Sequence, residues 1–408
     1  MKVALVTFGS RGDVQPLLAL ALALRAAGHD VLLAAPPENA DWAQSCGCSF
    51  RPLGGDVQAF LQSCPEPHTL RAAIAFGRFL QQEIEAQFAQ LPAIIQGADL
   101  VLAAALILAA PTVAESLGLP YRFIAFCPQV LPSSQHPSVL IRHHNLPRWA
   151  NWLSWWLTNK TDIFRFKAII NRHRRGLGLG PVRDLWAHFL GDRVVVASDK
   201  VLAPVPRDVE QRYTQTGYFH LQPTGKLPAD LEAFLASGPP PLYVGFGSMP
   251  NRHPEATTCL VLEAARSAAQ RVILSSGLAE PDMIMEKACK VVNNVPHTLL
   301  FPQVAAVVHH GGSGTTATAA KAGVPQIIVP HILDQYYWAS RIHRSGLGPR
   351  PIWRSRLTPQ RLAQAMHECV SKETMRERAR QVGRILQSCD SLGQAVRLIE
   401  SEPCDFSH

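Results

Sequence analysis

The chain alternates between short apolar runs and longer stretches with helical periodicity. The first run, Val3–Phe8, consists of apolar and β-branched residues, and a leucine- and alanine-rich stretch from Val14 to Ala27 follows it. The run is typical of a buried strand, and the stretch is typical of a helix that ends before Gly28. The alternation continues through the first half of the chain, where Val194–Ala197 is the last predicted strand. Repeated strand–helix units of this kind predict a parallel sheet.

The middle of the chain has a different composition. The segment from Pro204 to Pro241 is rich in proline and glycine, which favours a linker. The strand–helix alternation resumes after it, beginning with a strand at Leu242–Phe246. The pattern therefore predicts an α/β protein with two Rossmann-like parallel-sheet domains facing a central cleft. The predicted ranges are 1–205 for the N-terminal domain, 206–240 for the linker and 241–390 for the C-terminal domain.

The composition excludes several classes of protein. The 408 residues are 47% hydrophobic and 17% charged, which excludes intrinsic disorder, and glycine shows no three-residue period, which excludes collagen. The net charge of +8 fits a polyanionic partner, an anionic membrane surface, an acidic small substrate or an ordinary basic surface. The basic residues are dispersed and no recognition motif accompanies them, so we expect no nucleic-acid partner.

Cysteine spacing and apolar run length bear on the cellular compartment. The nine cysteines contain no CxxC pair, which favours reduced thiols over a disulfide framework or a zinc site. Charge and turn residues from Gly9 to Asp13 interrupt the first apolar run, so we expect no signal peptide. The longest apolar run, Leu100 to Ala114, contains Pro111 and is shorter than the roughly 20 residues of a spanning helix. We therefore predict a cytoplasmic protein without a transmembrane segment.

The strongest local motif is a strand, a glycine-rich turn and a helix start within Val307–Thr316. Glycines allow a ligand to approach the backbone, and the free N–H groups of a helix's first turn favour an anion. A diphosphate is the natural ligand, with His310 and Thr315 as side-chain donors. The turn is not a Walker A loop, because no Gly-Lys-Ser/Thr follows. A purely structural turn would explain the glycines but not the adjacent histidines His309 and His310.

Two further sets of polar residues follow predicted strands. Asp334 and Gln335 offer the carboxylate and amide groups that bind sugar hydroxyls, or they cap the predicted helix Tyr336–Ser345. Asp13 follows the first strand, where it is either a general base or a cap of the helix predicted from Val14. No two aspartates are spaced as DxD, so the sequence does not suggest a metal-bridged diphosphate.

These motifs together resemble the family-1, GT-B-fold nucleotide-sugar glycosyltransferases. The similarity is greatest to the bacterial glycopeptide-aglycone glycosyltransferases and the sterol 3-β-glucosyltransferases, and it covers nearly the whole chain. The motifs that carry it, in order, are Phe8–Pro16, Gly245–Met249, Asn294–His297, His309–Thr316 and Asp334–Gln335.

The resemblance implies an inverting transfer of a hexose, with UDP-glucose as the preferred donor, to a hydroxyl of a lipophilic or polycyclic acceptor such as a sterol, flavonoid or polyketide. It implies that Asp13 is the catalytic base, that no metal or other cofactor is needed, and that residues 391–408 form a helix returning toward the N-terminal domain. The donor site that it implies consists of Ser10, Arg11, Gly12, Gly247, Ser248, Val295, His310, Gly312, Ser313, Gly314, Thr315, Asp334 and Gln335.

Two positions depart from the plant members of the family. Asn294 replaces the tryptophan that stacks on uracil, and Thr318 replaces the glutamate that holds the ribose. Both changes resemble the bacterial and sterol branch. A TDP-sugar donor, including a deoxyhexose, therefore stays open as an alternative.

The acceptor side is predicted from an aromatic segment, Trp149–Lys167, and from Phe126. The predicted acceptor contacts are Phe126, Trp152, Trp155 and Trp156. Two alternatives remain for the segment, namely core packing and peripheral contact with a membrane through an aromatic and basic helix. The sequence makes no prediction of oligomeric state.

Two other classes of function fit the sequence less well than glycosyl transfer. A nicotinamide-dependent oxidoreductase would need GxGxxG after the first strand, and Gly9 and Gly12 do not form that pattern. A nucleotide-sugar-binding module without activity is the non-enzyme alternative, although Asp13, Asp334 and Gln335 are all present.

Overall fold

The computed structural model describes residues 1–63, 69–161, 165–223, 225–247, 249, 253–278 and 288–401. The chain forms two compact units. The first contains Met1–Leu221 and the C-terminal segment from Asp390, and the second contains Gln222–Cys389. Each unit is built around one parallel sheet.

The first unit contains a seven-stranded parallel sheet in the order β3-β2-β1-β4-β5-β6-β7. Its inner strands are continuous apolar runs because helices cover both faces of the sheet. The strands are β1 (Lys2–Phe8), β2 (Asp30–Ala35), β3 (Ser49–Pro52), β4 (Leu100–Ala105), β5 (Tyr121–Ala125), β6 (Arg193–Val196) and β7 (Arg212–Gln215).

The second unit contains a five-stranded parallel sheet in the order β10-β9-β8-β11-β12. Its strands are β8 (Leu242–Gly245), β9 (Val272–Ser275), β10 (Cys289–Val292), β11 (Ala306–His309) and β12 (Gln326–Ile328).

Helices connect the strands and cover the sheets. Those of the described residues are α1 (Arg11–Ala26), α2 (Ala40–Ser45), α3 (Val57–Ser63), α4 (Leu70–Ile95), α5 (Ala110–Ser116), α6 (Arg148–Lys160), α7 (Phe166–Gly176), α8 (Leu185–Leu190), α9 (Ala229–Ala236), α10 (Pro254–Ser267), α11 (His297–Leu300), α12 (Ser313–Ala322), α13 (Gln335–Arg344), α14 (Pro359–Ser371), α15 (Glu373–Gln387) and α16 (Ser391–Ser401). None of them is long and apolar enough to cross a membrane.

Alternate residues of each strand belong to cores on opposite faces of its sheet. In β1, Leu5 packs with α1 and α16 on one face, while Val6 packs with α4 and α5 on the other. In the second sheet, α10 and α14 cover one face, and α9, α11 and α12 contribute to the core on the other. The C-terminal helix α16 therefore belongs to the core of the first unit.

The strand ends determine where polar loops gather. Because all strands of a sheet are parallel, their carboxyl ends lie at one edge, where open α/β sheets bind ligands. In the second sheet His309, the last residue of β11, is paired with Gly245 of β8 on one side and with Ile328 of β12 on the other. The loops that follow these three residues carry most of the predicted donor site.

Several predicted boundaries were wrong. Helix α1 begins at Arg11, three residues before the prediction, so Asp13 lies inside its first turn. Val194–Ala197 is not the last strand of the first unit, because β7 follows and pairs with β6. The predicted linker 206–240 contains β7 and α9, which belong to different units separated after Leu221. The four residues of β7 are mostly exposed at the sheet edge, so no apolar run marks this strand.

Candidate functional site

The glycine-rich turn after β11 is held in place by His309. Its side chain is fully buried, and its Nδ1 accepts a hydrogen bond from the Gly311 N–H at 3.1 Å. The other ring nitrogen, Nε2, therefore carries the hydrogen and donates to Oε1 of Gln326 at 2.9 Å. Burial lowers the pKa of His309 to about 3, so the ring is neutral. His309 thus has a structural role in shaping the turn.

His310 is in a different setting. A Cβ at Gly312 would lie 2.5 Å from its Nε2, and a Cβ at Gly247 would lie 2.9 Å from its Cε1, so the ring fits closely between these two glycines. Its Nδ1 is buried and has no hydrogen-bond partner among the described residues. Burial, reinforced by the charge of His297, lowers the pKa of His310 to about 4. The structure therefore presents a neutral imidazole at the carboxyl edge of the sheet.

The first turn of α12 lies directly after this ring. Gly312 is the N-cap residue, and Ser313, Gly314 and Thr315 form the turn. The Ser313 hydroxyl donates to Oδ2 of Asp334 at 3.0 Å and accepts from the indole N–H of Trp338 at 2.8 Å. The turn after β11 is thereby connected to the start of α13.

Asp334 occupies the N-cap position of α13, but its side chain makes no capping hydrogen bond. The preceding residue, Leu333, has φ of 47°, a left-handed conformation that is strained for a side chain of this size. Burial raises the pKa of Asp334 to about 6, and the hydrogen bond from Ser313 opposes that shift. The carboxylate is therefore held at the edge of the sheet by Ser313.

Gln335 has a structural task that the sequence did not reveal. Its Oε1 accepts hydrogen bonds from the backbone N–H groups of His331 at 2.8 Å and Ile332 at 3.1 Å. Its Nε2 lies 3.3 Å from Sδ of Met249. The side chain is buried and braces the loop that ends at Asp334.

The remaining predicted donor residues of the second unit have different surroundings. Val295 is half-buried and packs against the core that includes α11. It follows Asn294, whose φ of 49° is also left-handed. Gly247 has a positive φ of 59°, which favours glycine. Ser248 lies outside the described residues.

Asp13 is part of the capping arrangement at the start of α1. Its Oδ2 accepts from the Ser10 N–H at 2.8 Å and from the Ser10 hydroxyl at 3.3 Å. Gly9 permits this approach, because a Cβ there would overlap the carboxylate. Tyr218 lies nearby, and burial, followed by the charges of Asp13 and Asp199, raises the pKa of its phenol. The third residue of a helix is a common place for an acidic capping partner, so Asp13 has a structural role whether or not it is also catalytic.

The other predicted residues of the first unit lie around this turn. The Arg11 guanidinium is 4.5 Å from the ring centre of Trp42, and Gly12 is exposed. Phe126 follows β5 and makes an edge contact with Tyr218 at 6.4 Å between ring centres. These side chains therefore gather at one edge of the first sheet. Ser10 and Asp13 follow β1, Phe126 follows β5, and both of these strands pair with β4.

The three predicted acceptor tryptophans of α6 differ in burial. Trp155 is only 6% exposed, and its indole N–H donates to the backbone oxygen of His136 at 3.2 Å. It also packs against Trp186, so core packing accounts for Trp155. Trp152 and Trp156 are exposed.

Sequence reasoning missed three supporting residues. Gln326 fixes the His309 ring, Trp338 donates to Ser313, and Tyr218 lies beside Asp13. Trp338 lies four residues after Asp334 on a predicted helix, a spacing that would have placed the two side chains on one face. Among the described residues, no group of three or more His, Cys, Asp or Glu side chains is arranged to hold a metal ion.

Comparison with protein families gives two matches. Residues 3–133 match the glycosyltransferase family 28 N-terminal domain. Residues 262–389 match the C-terminal domain of erythromycin biosynthesis protein CIII-like proteins.

Curated proteins similar to the chain include three glycosyltransferases. The vancomycin aglycone glucosyltransferase of Amycolatopsis orientalis is 38% identical over 354 residues, which cover 85% of each chain. The dTDP-epi-vancosaminyltransferase of the same organism is 35% identical over 356 residues, again covering 85% of each chain. The sterol 3-beta-glucosyltransferase UGT80B1 of Arabidopsis thaliana is 33% identical over 429 residues, which cover 97% of this chain and 67% of that protein.

The fold also resembles solved structures. The crystal structure of the glycotransferase of kitacinnamycin superposes with a TM-score of 0.75, covers 98% of both chains and is 23% identical. At that identity the likeness supports the architecture alone, namely two parallel-sheet α/β domains.

Proposed function

This chain belongs to the GT-B glycosyltransferases that include glycopeptide-aglycone and sterol enzymes, and we propose that it transfers a hexose, preferably from UDP-glucose, to a hydroxyl of a lipophilic or polycyclic small molecule. Most of the proposed donor contacts belong to the second unit, Ser10, Arg11 and Gly12 belong to the first, and the proposed catalytic base Asp13 also belongs to the first.

The setting of His310 carries the proposal for the donor. A neutral ring between Gly247 and Gly312, with a buried Nδ1 that lacks a described partner, is suited to hydrogen bonding with a diphosphate oxygen. The N–H groups at the start of α12 add an anion-binding helix terminus beside it. As the bond from the anomeric carbon to the diphosphate breaks, these donors stabilise the negative charge on the leaving group. No metal is assigned to this step.

Asp334 is proposed to accept hydrogen bonds from hydroxyl groups of the donor sugar. Ser313 and Trp338 fix its carboxylate, which reduces the entropy lost when the sugar binds. Gln335 is proposed to contribute through its amide N–H₂, because its Oε1 already braces the loop. Val295, Ser248 and Thr315 keep the roles in donor binding that the resemblance implies.

Asp13 is proposed to be the general base. It takes the proton of the acceptor hydroxyl while the acceptor oxygen bonds to the anomeric carbon and the nucleoside diphosphate departs with the electrons of the broken bond. Direct displacement inverts the anomeric carbon, so an α-linked donor gives a β-glycoside. The hydrogen bonds from Ser10 hold the carboxylate in position for this transfer.

A TDP-sugar donor is the second candidate. The similarity to dTDP-epi-vancosaminyltransferase favours it, as do Asn294 and Thr318 at the positions where plant members recognise the uridine. A binding module without activity is the non-enzyme candidate.

A transfer assay tests these proposals. UDP- and TDP-sugars are incubated with sterol, flavonoid and polyketide acceptors, and products are detected by mass spectrometry. We expect product with UDP-glucose, a large loss of rate in Asp13→Asn, and weaker donor binding in His310→Ala than in His310→Gln, which keeps a hydrogen-bond donor. Full activity in both Asp13→Asn and His310→Ala would overturn the assigned roles. Donor binding without product from any acceptor would favour the binding module.

A further inference from the structure

Helix α6 turns most of its large apolar side chains outward, whereas Asn151, Ser154 and the single tryptophan Trp155 are buried on its inward side. Helices on the surface of a globular protein normally show the opposite arrangement. The helix is therefore held to the first unit by hydrogen bonds and by the buried Trp155, and its other large apolar side chains are exposed.

Apart from Trp155, the inward face is polar and makes several hydrogen bonds. The Asn151 amide donates to the backbone oxygen of Ser134 at 2.9 Å, and the Ser154 hydroxyl accepts from the Ser138 N–H at 2.9 Å. The Thr158 hydroxyl donates to that of Ser138 at 2.8 Å. These bonds fix the rotation of the helix about its axis and so determine which side chains point outward.

The outward face is a stripe of large apolar residues. Five of the twelve exposed large apolar side chains in the described residues belong to this one helix. Trp149 is 69% exposed, Trp152 is 60% exposed and Trp156 is 45% exposed. Leu153 and Leu157 complete the stripe, at the three- and four-residue spacing that places side chains on one side of a helix. Contiguous exposed apolar surface of this kind marks an interaction site.

The charges around the stripe indicate the kind of partner. Helix α6 contains no acidic residue, and exposed basic side chains, Arg148 and Lys160, lie at its two ends. Tryptophan is enriched where proteins meet the interface between lipid and water, because its ring is apolar and its N–H is polar. A helix with these features lies in the plane of an anionic membrane surface.

Two other occupants fit less well. In a symmetric dimer the same face would meet itself, and the basic residues of α6 would find no acidic partner on the facing helix. A small molecule binds in a concave site, whereas the stripe is the convex side of a helix and extends over about 12 Å from Trp149 to Leu157.

We propose that the outward face of α6 binds the surface of an anionic lipid bilayer, with the tryptophans at the interface and Arg148 and Lys160 near the lipid headgroups. This binding is independent of the catalytic proposal, because it requires neither a donor nor an acceptor.

The test is sedimentation of the full-length protein with vesicles. We expect binding to phosphatidylcholine vesicles that contain phosphatidylglycerol, and weaker binding at high salt or to phosphatidylcholine alone. Trp152→Gln/Trp156→Gln is expected to weaken the binding about tenfold or more, from the lost apolar burial. Arg148→Gln/Lys160→Gln is expected to weaken it about thirtyfold on anionic vesicles. Lipids brominated near the headgroup should quench tryptophan emission in the unmodified protein and much less in the tryptophan variant.

The matched control is Tyr213→Gln/Ile385→Gln, which removes two exposed apolar side chains elsewhere and should bind as the unmodified protein does. All substituted side chains are exposed, so circular dichroism and thermal melting should confirm that each variant is folded. Equal vesicle binding of the tryptophan variant and the unmodified protein would overturn the proposal. So would failure of the unmodified protein to bind anionic vesicles, or a dimer that depends on Trp152 and Trp156 and does not bind them.

Discussion

Replacing Gly312 by alanine tests whether His310 contacts the donor diphosphate. Gly312 has φ of −63° and ψ of 144°, a conformation open to any residue, so alanine adds no backbone strain. The new Cβ would lie 2.5 Å from His310 Nε2, which is too close, and the ring must move. The substitution therefore displaces His310 without removing it.

The expected magnitude follows from the bond that is lost. A hydrogen bond to a charged group contributes about 1.5–3 kcal/mol, so displacing His310 should lower kcat/KM for the donor about ten- to hundredfold. The effect on the free energy of unfolding should stay within about 1 kcal/mol, because the smaller entropy of the unfolded alanine variant and the poorer N-cap offset each other.

The assay is a double-mutant cycle of Gly312→Ala and His310→Ala, measured by steady-state kinetics with the donor varied. If alanine at 312 acts by moving the ring, it should have little further effect once His310 is absent. Gly180→Ala is the control, because a Cβ there meets nothing within 4 Å and φ is not positive. Unchanged donor kinetics in Gly312→Ala, or full additivity of the two substitutions, would refute the role given to His310.

Three further predictions concern Asp13, Asp334 and His309. Asp13→Asn should lower kcat at least about a hundredfold with little change in donor KM, since the amide oxygen can still accept a hydrogen bond from Ser10 but cannot take a proton. A rise in donor KM as large as the fall in kcat would contradict this role. Asp334, whose pKa is raised to about 6, binds a proton more tightly in the folded than in the unfolded chain, so its contribution to stability is lost as the pH rises through about 6. Asp334→Asn should therefore raise Tm at neutral pH, and this gain should disappear at about pH 4, where the carboxyl group is protonated. The same substitution should weaken donor binding. An equal gain in Tm at both pH values would contradict the raised pKa of Asp334. His309→Leu should reduce the free energy of unfolding by about 1–3 kcal/mol in urea, because the Gly311 N–H and Gln326 lose their partner, and a neutral effect would contradict its structural role.

The fold could be predicted where apolar runs are long. The strands β1 and β8 are largely buried apolar runs, and the sequence located each of them within one residue. The edge strand β7, with mostly exposed residues in a proline-rich region, carries no such signal. Its place in the first sheet depends on pairing with β6, which is a tertiary interaction.

The residues of the candidate site could be predicted from the sequence, but the role of each residue could not. The sequence singled out His309 and His310 together, and only the contacts with Gly311 and Gln326 separate the buried structural ring from the one beside the glycines. Gln335 was predicted as a ligand for sugar hydroxyls. Its hydrogen bonds to the backbone of His331 and Ile332 could not be predicted, because they depend on the path of the loop before α13.

For α6, the periodicity predicts a helix but does not say which face points inward. Tryptophans at helical spacing normally favour burial, and Trp155 follows that expectation. The hydrogen bonds of Asn151 to the chain at Ser134 rotate the other tryptophans outward.

The anomeric configuration of the product tests the proposed reaction most directly. The protein is incubated with UDP-α-D-glucose and a hydroxylated polycyclic acceptor, and the glycoside is analysed by proton NMR beside a parallel reaction with Asp13→Asn. Direct displacement assisted by Asp13 predicts a β-glycoside from the unmodified protein and almost none from the variant. An α-glycoside, or equal amounts of product from both proteins, would contradict it.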